Sequence, residues 1–293
     1  MGKIAVIGSS SMDLVVTAAK RPGAGETVLG KSFTTVPGGK GANQAVAAAR
    51  LGADVHMIGC VGEDHYGQAI LNNFRENRVH IRFVEMITGA ESGTAHIILA
   101  EGDNSIVVVE GANHYVRPDS VRRAHSIIAA ADMVMIQQEI PAETVEYTAA
   151  LCAKLRVPLI LNPAPARPIS WEVIEKASFL TPNEHEAAIL FPGMSSSAVL
   201  RQHPNKVFIT EGERGVRYFN GVKEVLIPSY QVEPADTTGA GDTFNAAFAV
   251  ALAEGKGIEE SATFANRAAS LSVTRFGAQG GMPTRTEVEQ ARL

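Results

Sequence analysis

Short apolar runs recur along the chain at Ile4–Ile7, Val55–Ile58, Met133–Ile136, Leu159–Leu161 and Val207–Thr210. They are too short for stable helices, and their spacing is too wide for a chain of hairpins, which predicts buried strands. Between them lie amphipathic or alanine-rich stretches that predict helices over Gly41–Leu51, Gly67–Phe74, Ala142–Leu155, Glu184–Leu190 and Thr243–Ala253. Gly52 and Gly255 follow the first and last of these, where a helix ends in left-handed backbone. Strand and helix alternate, so the expected class is α/β: a mainly parallel sheet between two helical layers. Ligands of such sheets bind at the carboxyl ends of the strands.

Two regions break this rhythm. Leu14–Val36 and Thr94–Val109 read as strands without helical partners. Within the second, Thr94–Leu99 and Ser105–Val109 predict a hairpin joined through Gly102-Asp103-Asn104. Both regions can pair into a small sheet over one edge of a single domain spanning 1–293, the sheet drawn from about 14–36 and 94–110. Two uses stand open and can coexist: a lid that excludes water from a reaction, or an edge sheet that forms a dimer interface.

Bulk properties narrow the class. The net charge of −5 and the absence of Lys/Arg runs argue against a nucleic-acid partner. Cys60 and Cys152 have no metal-ligand spacing and read as buried thiols of a reducing compartment. No apolar stretch reaches the roughly 18 residues of a membrane span. The opening Met1–Gly8 reads as a first strand rather than a signal peptide. A cytoplasmic protein without a membrane partner is expected.

Four constellations carry candidate chemistry. The first is Asp236-Thr237-Thr238-Gly239-Ala240-Gly241-Asp242, a glycine-rich turn running into an apolar helix. Unpaired N–H groups at a helix start bind anions. A carboxylate there, Asp242, reads as a base that takes a proton from a hydroxyl attacking a phosphate. The simpler reading is an acid favoured by the helix dipole. The second, Gly38–Gln44, lets backbone approach a ligand while Lys40 and Asn43 offer donors and Asp13 an acceptor, the mixture a polyol requires. Alone it fits equally a turn with a solvated lysine. Neither stretch has P-loop or dinucleotide-fingerprint spacing. The third, Asn183-Glu184-His185-Glu186, puts Asn183 and Glu186 three apart, on one face of a short helix, where they can hold hydrated Mg²⁺ bridging nucleotide phosphates. A capped surface helix is the alternative. The fourth, Thr210–Gly215, is a turn at a strand end that either borders a nucleotide or simply leads to a strand at Val216–Phe219.

Taken together, the Gly38–Gln44 and Asp236–Asp242 stretches, with Asn162-Pro163-Ala164-Pro165-Ala166 between them, resemble the signatures of the ribokinase (PfkB) family of sugar and nucleoside kinases over nearly the whole chain. The resemblance implies a three-layer αβα domain with a small β-sheet lid, ATP- and Mg²⁺-dependent phosphorylation of a pentose, and a homodimer joined through the lids. It points within the family to transfer onto the primary hydroxyl of D-ribose. It implies that Asp242 is the base and that Gly239, Ala240 and Gly241 form the anion hole. Ser11, Asp13, Gly39, Lys40, Asn43 and Glu139 match sugar-contacting positions. Asn183, Thr210, Gly212, Gly215, Gly241 and Asn266 match nucleotide contacts, and Glu186 matches the Asn-x-x-Glu motif for Mg²⁺. Asp236, Thr238, Ser272, Arg275 and Gly277 match a K⁺ site.

Two positions depart from the family pattern. Ser11 stands where many bacterial members have Asn, which leaves 2-deoxyribose or another sugar as the alternative substrate. Gly281 stands where Ser is common, beside the cation positions. A nucleoside substrate would want an aromatic platform, and no aromatic cluster accompanies the sugar positions. A regulatory sugar-binding module would be expected to lose Asp242 or the glycines, and both are present.

Overall fold

The computed structural model describes residues 1–291. Its strands are β1 (Lys3–Ile7), β2 (Ser11–Ala18), β3 (Gly30–Gly38), β4 (Asp54–Gly62), β5 (His80–Ile87), β6 (Gly93–Ala100) and β7 (Asp103–Val109). The second half adds β8 (Met133–Ile136), β9 (Leu159–Leu161), β10 (Phe179–Leu180), β11 (Phe208–Thr210), β12 (Val216–Phe219) and β13 (Glu224–Ile227).

The main sheet has the order β10-β9-β8-β1-β4-β5 and every pair is parallel. Its central strands are apolar on both faces, as burial under helices on each side requires. Alternate residues of β1 show this directly: Ile4 and Val6 enter one core, Ala5 and Ile7 the other. Helices Lys40–Arg50, His65–Glu76, Ala240–Ala253 and Ile258–Ser272 pack on the first face. Helices Pro118–Arg123, Ala142–Leu155, Trp171–Lys176 and Ser196–Gln202 cover the second. The expected αβα layering is therefore present, and Gly52 and Gly255 end their helices in left-handed backbone.

Three sequence expectations change. The run Val207–Thr210 does not extend the parallel sheet; its strand β11 opens an antiparallel sheet, β11-β12-β13. Only single bridges, Leu180↔Val207 and Asn183↔Thr210, tie it to the parallel edge. The chain reverses after Thr210, so β12 can pair with β11 more easily than another crossover can form. Edge strands β5 and β10, which have no clear apolar run, complete the main sheet. The hairpin between β6 and β7 turns at Glu101 and Gly102, with φ of 57° and 75°, as a two-residue turn with both φ values positive demands. Asp103 and Asn104 already belong to β7.

The non-helical regions form the separate four-stranded sheet β3-β2-β6-β7, parallel only between β2 and β6. Val15, Ala95 and Ile97 make a small apolar core on it. Phe33 and Ile106–Val109 are exposed. Both cysteines are free and buried. Among the described residues no helix is long and apolar enough to cross a membrane.

Candidate active site

Asp242 lies in the first turn of helix Ala240–Ala253 and is 6% exposed. Gly239 caps that helix with φ 80°, and a Cβ there would stand 2.9 Å from Ala278. Glycine is therefore required on both conformational and steric grounds. The turn aims backbone donors at the helix mouth. The Ala240 N–H closes on Thr237 O at 3.3 Å, while among the described residues the N–H groups of Gly239, Gly241 and Asp242 have no partner. That is the condition for an anion cradle.

The small residues of helix Lys40–Arg50 let it pack against helix Ala240–Ala253 and deliver two amides to the carboxylate. Asn43 Nδ2 donates to Asp242 Oδ2 at 2.9 Å, and Gln44 Nε2 donates to Oδ1 at 3.0 Å. Gln44 is itself held: its Nε2 also donates to Asn162 Oδ1 at 3.1 Å, and its Oε1 accepts from Gln137 Nε2 at 2.6 Å. Asn43 accepts from Gln279 Nε2 at 3.0 Å, and Gln279 in turn accepts from Asn73 Nδ2 at 2.8 Å. Burial pushes the Asp242 carboxyl above the ordinary carboxylate range, against the opposing pull of Lys40 and the two amides.

Lys40 is ringed by acids. Burial alone would depress its ammonium, but Asp242, Glu139, Glu186 and Asp13 together hold it above its ordinary value. Glu139 Oε2 accepts from Ser9 Oγ at 2.6 Å and from the Lys40 N–H at 2.9 Å, which anchors the start of that helix. Asp13, on β2, is pushed up to about 6, chiefly by burial and then by Glu139. The Ser11 hydroxyl, 3.4 Å away, opposes that rise. Such a cluster of charged and hydroxyl groups offers both the donors and the acceptors that a polyol requires, although of Ser11, Asp13, Lys40 and Glu139 only Lys40 lines the cavity shared with Asp242.

Asn183 and Glu186 form a reciprocal capping box: Asn183 Oδ1 accepts from the Glu186 N–H and Glu186 Oε2 from the Asn183 N–H, both at 2.8 Å. Asn183 is thus the residue before the helix rather than a neighbour on its face, because its extended backbone closes the first turn. The capped-helix reading is therefore present, while Glu186 itself is buried, with its carboxyl raised chiefly by burial. Lys40, Asn183, Glu186, Thr210, Gly241 and Asp242 share one cavity of about 150 Å³. A neighbouring cavity of about 410 Å³ takes in Gly212, Ala240 and Asn266. Asn266 Nδ2 holds one wall of it through Ile227 O at 2.8 Å and Pro228 O at 3.1 Å. Gly215 lies outside both cavities, against the backbone of Ile227 and Pro228. A third opening, about 480 Å³, separates Thr17, Leu99 and Asp103 of the small sheet from the Pro234–Thr238 loop.

Asp236 ties together two of the positions expected to hold K⁺: its two oxygens accept from the Thr238 N–H at 2.9 Å and the Gly277 N–H at 2.8 Å. The carbonyl oxygens of Ser272 and Arg275 lie beside Gly281, where a Cβ would stand 2.1 Å and 3.4 Å from them. The Arg275 guanidinium points elsewhere, to Glu287. Sequence reasoning missed the supporting amides Gln44, Gln137 and Gln279, and gave Asn162 no contact role. Gln44 lies in the glycine-rich stretch beside Asn43, and that adjacency was the available signal.

Comparison with known proteins places the whole chain in one family. The family model described as "pfkB family carbohydrate kinase" matches residues 1–285. The chain is 67% identical over 290 residues to the ribokinase of Bacillus subtilis (strain 168), covering 99% of each. It is 44% identical over 290 residues to the ribokinase of Lactococcus lactis subsp. lactis (strain IL1403), covering 99% of this chain and 96% of the other. Among solved structures, Arabidopsis thaliana ribokinase complexed with ribose and ATP superposes with a TM-score of 0.90 at 35% identity, covering 99% of this chain and 98% of that one.

Proposed function

The chain belongs to the pfkB family of carbohydrate kinases, and on that premise we propose that it transfers the γ-phosphoryl group of ATP to the primary (5-) hydroxyl of D-ribose. The observation that carries this is a buried carboxylate, Asp242, held by two amides at the mouth of a helix where the Gly239, Gly241 and Asp242 N–H groups are bare. The sugar hydroxyl gives its proton to Asp242 as its oxygen attacks the γ-phosphorus. Charge in the transition state spreads over the phosphoryl oxygens, so positioning and electrostatics dominate. The cradle Gly239–Gly241 and Lys40 supply fixed positive potential there. Asp13, Gly39, Asn43 and Glu139, with Ser11, hold the sugar; Asn183, Thr210, Gly212 and Asn266 border the nucleotide.

Two ions fit the residues present. Glu186, a buried carboxylate on the cavity shared with Asp242, suits a hydrated Mg²⁺, with Asn183 beside it. Such an ion, when bound, neutralises phosphate charge. The Ser272 and Arg275 carbonyls, both beside Gly281, suit K⁺, with Asp236, Thr238 and Gly277 shaping the loop. The four-stranded sheet acts as a lid over the opening beside Asp236, and the exposed strip Ile106–Val109 with Phe33 pairs two copies as a homodimer. The cytoplasm, where ATP is abundant, is the expected location.

A second reading, 2-deoxyribose as acceptor, is favoured by one detail: the Ser11 hydroxyl faces Asp13, leaving a short side chain where a longer amide would reach a sugar hydroxyl. ADP release measured with ribose, 2-deoxyribose, fructose, adenosine and uridine, in K⁺ buffer, decides between them. Ribose should give the highest kcat/KM; no sugar-dependent ADP release from any of them would refute the proposal.

A further inference from the structure

We propose that Asp54, His56 and His80 form a binding site for one divalent transition-metal ion of the Zn²⁺ class, at the amino-terminal end of the main sheet. Asp54 and His56 stand two apart on β4 and so share a face. His80 opens β5 and is the direct Cα partner of His56. The parallel register stacks the two imidazoles, with ring centres 4.5 Å apart and planes 18° from parallel. Asp54 Oδ1 lies 3.0 Å from His80 Nε2 and 3.9 Å from His56 Nε2. One donor atom of each residue lies within 4.8 Å of the other two.

Those separations suit a small ion. Zinc holds nitrogen and carboxylate ligands tetrahedrally at roughly 2.0–2.2 Å, so two ligand atoms on one ion stand about 3.3–3.6 Å apart. The Asp54–His80 and Asp54–His56 distances, 3.0 Å and 3.9 Å, bracket that value, and modest rotations of the Asp54 carboxylate and the half-exposed His80 ring close the set. The donor set also selects the ion. Two imidazoles and one carboxylate match Zn²⁺ or its neighbours, whereas Mg²⁺ and Ca²⁺ want a shell of oxygens. Asp54 and His56 line an adjoining hollow of about 90 Å³. The three ligands come from a strand pair at the opposite end of the sheet from Asp242.

A bound ion here would clip edge strand β5 to β4 beside the register slip between His56 and Ile58. The test is a titration of the metal-free, tag-free full chain with Zn²⁺ against a chromophoric chelator near neutral pH. One equivalent should bind, resist excess Mg²⁺ and raise the melting temperature. His56→Gln and His80→Gln should each weaken uptake at least about tenfold, the low end of what losing even an outer partner of a metal ligand costs. His114→Gln, on an exposed histidine elsewhere, should leave the isotherm unchanged. Because His80 is 57% exposed, its variant should keep normal ribose turnover, which certifies the fold. No zinc uptake by the parent chain, or an isotherm that both Gln variants reproduce, overturns the proposal.

Discussion

Asp13→Asn should make this protein more stable at alkaline pH while weakening its hold on sugar. Asp13 is 8% exposed on β2 and shares its surroundings with Glu139 and Asp242, and Lys40 only partly offsets them. Burial, then Glu139, lifts its carboxyl from 3.8 to about 6. At about 1.4 kcal/mol for each tenfold, that rise amounts to about 3 kcal/mol. The sign follows from proton counting. The folded chain keeps the Asp13 proton to about pH 6, whereas the unfolded chain sheds it near 3.8. The stability this group contributes is therefore fully present below 3.8 and lost as pH climbs through about 6. Asparagine imitates the neutral form at every pH. Allowing for the lost Ser11 contact and an imperfect amide fit, the variant should gain roughly 1–3 kcal/mol at about pH 8 and nothing at about pH 4. In melting temperature the gain is roughly 2–6 °C. Thermal melts of parent and variant across pH, without sugar, make the measurement. Ribose affinity should fall about 10–100-fold, since an ionised acceptor is gone. A gain that is equal at both pH values, or absent at the alkaline one, would show that the acid pocket does not strain the fold.

Further outcomes concern the reaction. Asp242→Asn should lower kcat by about 10²–10⁴ with ribose binding largely kept; a turnover within about tenfold of the parent would remove its role as base. Gln44→Leu deletes the donor on Asp242 Oδ1. Its acid limb in the kcat–pH profile should move to higher pH, because the ionised carboxylate loses a partner, and kcat should drop roughly tenfold. An unmoved limb would make Gln44 a packing residue only. Replacing K⁺ by Na⁺ should reduce turnover, read in the coupled ADP assay, and equal rates in both would dismiss the cation site. Gly281→Ser puts a Cβ 2.1 Å from Ser272 O. The displaced carbonyl should narrow the K⁺-over-Na⁺ ratio and cost roughly 1–3 kcal/mol of stability, measured by urea unfolding.

What could be read from residues alone divides along physical lines. Strands β1, β8 and β9 announce themselves because both faces are buried and the runs are purely apolar. Strand β5 does not: an edge strand alternates with solvent, and its residues mix His, Arg and Glu with apolar ones. Helix Ile258–Ser272 also escaped notice. Its buried side is built of Ser261, Ala262, Ala265, Asn266, Ala268 and Ser270, small and polar groups that leave no apolar stripe. The turn at Gly239–Asp242 was legible because unusual backbone demands glycine locally. The amide web around Asp242 was not, since it exists only once helices from opposite halves of the chain have docked. The nucleotide reading of Gly215 has no lining role beside it, and tight packing on Ile227 already accounts for a glycine there.

Asp242 meets its two amide donors across 199 and 198 residues of intervening chain. No half of this polypeptide, synthesised or excised alone, contains both the acid and the groups that steady it. If Asp242 is the base proposed above, the helix Ala240–Ala253 must be synthesised and docked before the first turnover. Appearance of activity during refolding is therefore a late clock, one that starts only when the amino- and carboxyl-proximal helices have found each other.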